Sequence, residues 1–230
     1  MGKPIAVIVG VGSGLSASLA RRLSDEGYVL VLAARDTDKL SALADETGAS
    51  IVAMEATDPS AMAALFDGLE TAPDVAIYNP SARVRGPIAE VDADEVRRAL
   101  EVTAYGAFLM GQAAARRMLE TKADVRGTIL FTGASAGVKG FAQSASFAMG
   151  KFAQRGLAQS MARELHPKGI HVAWINIDGM IRNPGRVEPA DRPDSMLDPD
   201  AIAGAYLNLI RQDRSAWTDE ITLRPWVESF

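Results

Sequence analysis

The chain has 230 residues, which fits one α/β domain at roughly 100–200 residues per domain. Apolar residues make up 48% and charged residues 23%, a globular balance that excludes intrinsic disorder and collagen-like repeats. The absence of cysteine excludes disulfides, a thiol nucleophile and thiolate metal ligands. Two histidines, His166 and His171, are too few for a His-rich metal site, and a net charge of −5 without a basic run disfavours nucleic acid as a partner.

No stretch reaches the roughly 18 apolar residues of a membrane span, so no membrane partner is expected. The apolar run 5–9 is too short for a signal peptide. The Met-Gly start has Ala6 where myristoylation needs Ser or Thr. The expected location is the cytoplasm.

Residues 5–9 are continuously apolar, as a strand buried on both faces requires. Leu15, Leu19 and Leu23 mark a helix over 15–26, closed by Gly27. Further strands are predicted over 29–34, 51–54, 75–78, 128–132, 171–177 and near 220–223. Helices are predicted over 38–47, from Pro59 to about 69, over 92–121 as one long rod, over 147–166 and over 201–212. Residues 178–198, rich in Pro, Arg and Asp, read as a long loop. This alternation predicts a three-layer, doubly wound parallel sheet with right-handed crossovers, a Rossmann-like α/β fold. Ligands of such sheets sit at the carboxyl ends of the strands, where the order of strands reverses.

The first strand runs into Gly10-Val11-Gly12-Ser13-Gly14-Leu15-Ser16. A glycine-rich turn opening a helix can cradle phosphate on backbone N–H groups and the helix dipole. The strict G-x-G-x-x-G spacing fails at Leu15, but a wider one fits, with Gly10, Gly14 and then Ser16. Arg35 follows the second strand, where an arginine accommodates the 2′-phosphate of NADP and an acid would hold the ribose of NAD. Ser13 adds a hydroxyl. Asp36 argues the other way, because its charge repels a phosphate if it points inward.

Together these residues resemble the short-chain dehydrogenase/reductase family over nearly the whole chain. The resemblance rests on the wide glycine turn, Arg35, Asn79 after the fourth strand, Ala136-Gly137 after the fifth, Lys151 on the next helix and Asp178-Gly179 after the sixth. It implies that residues 1–230 form one dinucleotide-binding domain that takes NADP(H). The implied contacts are Gly10, Gly12, Ser13, Gly14, Leu15, Arg35, Glu55, Ala56, Asn79, Lys151, Gly179 and Ile181. The family's Tyr-x-x-x-Lys is Phe147-Ala148-Met149-Gly150-Lys151 here, and its serine thirteen positions earlier falls on Ala134. The lysine is kept, and the proton-exchanging phenol and its hydroxyl partner are not.

Lys151, Ser135 and Tyr78 are therefore the candidate catalytic residues. Ser135 is shifted by one from the expected serine, and Tyr78 ends the fourth strand with a suitable phenol. Ser144 and Ser146 read as helix N-caps, and Arg83 and Arg85 as either an anion site or a solvated pair. The implied function is hydride transfer to a small carbonyl, imine or enone substrate. The alternative is a catalytically silent NADP(H)-binding sensor or scaffold. The resemblance also implies a homodimer or homotetramer through the two long helices, with Trp217, Trp226 and Phe230 at a further subunit contact.

Overall fold

The structure, a computed structural model, describes residues 2–228. A seven-stranded parallel sheet runs in the order β3 (Ser50–Ala53), β2 (Val29–Ala34), β1 (Ile5–Val9), β4 (Val75–Tyr78), β5 (Gly127–Thr132), β6 (Ile170–Ile177) and β9 (Glu220–Leu223). The expected doubly wound α/β fold is thus observed. Register places Val9 opposite both Ala33 and Tyr78, so β1, β2 and β4 end level with one another.

Successive residues of a strand point to opposite faces, and both faces are buried. Ala6, Ile8 and Ile77 pack beneath α1 (Leu15–Asp25), α2 (Ser41–Thr47, entered through a 3-10 turn at Asp38–Leu40) and α7 (Pro199–Ile210). Val7, Val9, Tyr78 and Phe131 pack on the other side, beneath α3 (Pro59–Asp67), α5 (Gly106–Leu119) and α6 (Ala145–Leu165).

The helix expected over 92–121 is interrupted. α4 (Ala93–Leu100) passes into a π-turn at Glu101–Tyr105 before α5 begins. A π-turn leaves carbonyls free of the regular ladder. The Val102 carbonyl accepts the Tyr78 hydroxyl, and the Thr103 carbonyl accepts Gln154 Nε2 at 3.3 Å. The stretch 178–198 is also more ordered than a plain loop, because β7 (Met180–Ile181) pairs with β8 (Met196–Leu197).

The C-terminal aromatic residues differ in their surroundings. Trp217 stacks within its own chain on His171, with centroids 4.9 Å apart, and lies edge-on to His166 at 5.3 Å. It is half-buried there. Trp226 is exposed, and Phe230 lies outside the described residues. Among the described residues no helix is long and apolar enough to cross a membrane.

Candidate active site

The site is built where β1 ends. Gly10 has φ +85°, and a Cβ on it would lie 2.5 Å from the Pro80 ring, so the turn requires glycine for both conformation and space. Beyond it, α1 starts at Gly14 without a side-chain cap and without an acid in its first turn. By contrast, α3, α4 and α7 are each capped by an aspartate, Asp58, Asp92 and Asp198. The N-terminus that faces the crevice thus keeps backbone N–H groups and the positive end of its dipole available to an anion.

Ser16 holds this turn in place. Its hydroxyl donates to the Gly10 carbonyl at 2.9 Å and accepts from Asn79 Nδ2. In the sequence Ser16 only completes the spacing of the turn. The structure makes it the link between the glycine turn and the end of β4.

One arm of the crevice, about 380 Å³, is lined by Gly10, Gly12, Ser13, Arg35, Glu55 and Ala56. Lys39 lines it as well, and its ammonium pairs with Asp36 at 2.6 Å. That pairing holds the Asp36 carboxyl below its ordinary range and neutralises the charge that argued against a phosphate. Arg35 is exposed, with Glu55 3.9 Å from its Nε.

The other arm, about 530 Å³, is lined by Gly14, Leu15, Asn79, Lys151, Gly179 and Ile181, and also by Phe147 and Ala134. All twelve residues expected to touch a cofactor line one arm or the other. The arms meet at Gly10, Gly12 and Ser81.

The three candidate catalytic residues are not brought together. Lys151 lies at the floor of the second arm. It is 2% exposed, and its Nζ donates to the Thr132 carbonyl at 2.6 Å and to Gln154 Oε1 at 3.3 Å. No carboxylate pairs with it among the described residues, and burial pushes its ammonium down to about 7. Gln154, unnoticed in the sequence, also accepts from Trp174 Nε1 at 3.3 Å and reaches the π-turn carbonyl of Thr103. Its place one turn after Lys151 on α6 was the available signal.

Ser135 lies in a neighbouring cavity, past Ala134. Tyr78 corrects the sequence expectation. It is fully buried, its hydroxyl is spent on the Val102 carbonyl, burial drives its phenol well above the ordinary range, and it lines neither arm. Its side chain follows the alternation of β4 to the α3/α5 face. Ser146 is another correction. It lies inside α6 and exchanges hydrogen bonds with the backbone of Val84, donating at 2.9 Å and accepting at 3.1 Å. Ser144 occupies the N-cap position without a side-chain cap bond.

Residues 4–189 match the family model for short chain dehydrogenases, and the chain belongs to that family. A short-chain dehydrogenase from Rhodopseudomonas palustris superposes with a TM-score of 0.83 at 33% identity, covering 98% of this chain and 100% of that one. A metagenomic short-chain oxidoreductase solved in complex with NADP gives 0.83 at 26% identity, covering 97% and 98%. An uncharacterized oxidoreductase of Staphylococcus aureus is 28% identical over 229 residues, 96% of each chain. The chain is thus a short-chain dehydrogenase-type oxidoreductase.

The buried ammonium sets a pH dependence. The unfolded chain keeps lysine protonated to about pH 10. The folded chain releases that proton near 7, so Lys151 makes the protein more stable as pH rises from about 7 to 10. Lys151→Met removes this slope. The melting-temperature difference, variant minus parent, should be more positive at pH 6 than at pH 9, by about 2–3 kcal/mol or roughly 4–12 °C. Thermal unfolding at the two pH values checks this, and a pH-independent difference would contradict it.

Proposed function

We propose that this chain is an NADP(H)-dependent oxidoreductase whose site lacks the family's serine and tyrosine and therefore suits substrates that need little help with a proton. The observation that carries the reading is the continuous crevice from Arg35 and Lys39, over the uncapped start of α1, to Lys151 and Phe147. The residues fit the cofactor. Gly12 has open space around it, the first turn of α1 holds no acid, and two cations line the same arm as Ser13. The NADP complex of the 26%-identical metagenomic oxidoreductase supports the same choice.

When bound, the reduced nicotinamide supplies a hydride. The chain's own residues do the rest. Gly14 and Leu15 offer backbone N–H groups to the pyrophosphate, Arg35 and Lys39 receive the 2′-phosphate, and Lys151 serves the nicotinamide ribose. Phe147 and Ala134 have no exchangeable proton. Hydride addition at a carbon sends the double-bond electron pair to the neighbouring oxygen or nitrogen. An iminium nitrogen already carries its proton and leaves as a neutral amine. A ketone would form an alkoxide, which must take a proton from Ser135 or water. An activated enone takes the hydride at its β-carbon and becomes a resonance-stabilised enolate that water can protonate, so iminium compounds and activated enones are the preferred class.

Self-association fits the surface. Phe108 on α5 and Met149 and Phe152 on α6 are 40–52% exposed. A homodimer or homotetramer through these helices is proposed, and sedimentation velocity should show no major monomer at micromolar concentration.

Arg35→Ala should weaken NADPH about 10- to 150-fold and leave NADH nearly unchanged, the worth of one charge-assisted hydrogen bond. Lys39→Ala should act in the same selective direction, since it removes a cation and frees Asp36. Fluorescence titration with both nucleotides measures this, and equal losses would remove these residues from the role. A second check concerns the acid. Phe147→Tyr combined with Ala134→Ser should raise ketone reduction by about 10²–10⁴-fold with little change in NADPH affinity. Ketone turnover by the parent at an ordinary rate of about 10 per second would contradict the account.

A further inference from the structure

Beyond the nicotinamide arm lies a cavity of about 620 Å³ that shares Arg83, Ala134 and Phe147 with it. Its wall carries Arg83, Arg85, Lys139 and Arg192. The carboxylates present are Asp178, which pairs with Arg224 at 3.2 Å, and Glu228. On a chain of net charge −5 this is a local reversal of sign. None of these four cations pairs with a carboxylate among the described residues.

The two inner arginines are held in place by their backbone. Thr103 Oγ1 accepts from the Ala82 N–H at 3.0 Å and donates to its carbonyl at 3.4 Å. Ser146 does the same for Val84, and the Gly86 N–H donates to the Gln143 carbonyl at 3.2 Å. The even residues 82, 84 and 86 are thereby tied to the π-turn, to α6 and to the segment just before it. An extended chain alternates sides, and the odd residues Ser81, Arg83 and Arg85 are the exposed ones that line the cavities. Arg83 is fixed further by lying 4.0 Å over the Phe147 ring. There it is partly desolvated and repelled by Arg85 and Arg186, which together lower its pKa. The buried wall residue Ser195 also leaves its Oγ without a partner among the described residues.

Resting on the cofactor reading above, we propose that this cavity selects substrates that carry a carboxylate near the reacting carbon, with Arg83 and Arg85 as its receptors. Arg83 is the cation common to both cavities. It stands on the boundary between the outer cavity and the nicotinamide arm, and a carboxylate there would relieve the repulsion among the arginines.

The test is calorimetric titration of the full chain, with and without NADP⁺, using phenylpyruvate and its methyl ester at physiological salt. The keto acid should bind at least about 10-fold more tightly than the ester, the worth of one charge-assisted contact. Arg83→Gln and Arg85→Gln should each remove most of that preference. Arg85→Gln should leave NADPH affinity unaltered, because Arg85 lines only the outer cavity. Equal binding of acid and ester, or a preference that survives both substitutions, overturns the inference while leaving the cofactor reading intact. Acid-selective binding in a chain that takes up no NADPH supports the cavity assignment and overturns the cofactor reading instead.

Discussion

The site depends on one constraint of topology. β1 and β4 are neighbours in the sheet, but the chain leaves β1 through α1 on one face and leaves β4 through α4 and α5 on the other. The helices diverge, and a crevice opens at the level ends of the strands. Everything with chemistry hangs on that gap. The glycine turn closes the end of β1, Asn79 extends β4, and the Ser16 hydroxyl joins the two by donating to the Gly10 carbonyl and accepting from Asn79 Nδ2. The helix that opens into the gap lacks the aspartate cap that α3, α4 and α7 possess.

A second feature is how the site handles positive charge. Lys151 and Arg83 both line the second arm of the crevice without a carboxylate partner among the described residues. A buried ammonium satisfied only by a carbonyl and an amide oxygen remains costly. In the proposed reading, an anionic or hydroxyl-rich ligand supplies the partner that the protein withholds. Gln154 has a structural share in this, because it joins Lys151, Trp174 and the π-turn into one network.

The strands were legible because short, mostly apolar runs of four to eight residues leave little choice, and all seven begin within one residue of expectation. The glycine turn and Lys151 were legible because their spacing is local. Tyr78 was not. In a strand buried on both faces every residue is apolar, so the pattern carries no sign of which face a given side chain takes. The π-turn escaped for a similar reason, since Glu101 to Tyr105 continue an ordinary helical pattern and the irregularity comes from partners supplied by β4 and α6. Lys39 looked like a surface residue until the fold set it beside Arg35. The arginine pair at 83 and 85 was visible, but the pinning of the residues between and beside them comes from Thr103 and Ser146, distant in sequence.

The most direct test of the central claim is a crystal structure of the chain with NADP⁺. The account predicts pyrophosphate density on the N–H groups that open α1, the 2′-phosphate between Arg35 and Lys39, and the nicotinamide between Ile181 and the Lys151–Phe147 wall. Nucleotide bound outside this crevice, or an empty crevice at millimolar NADP⁺, would contradict it.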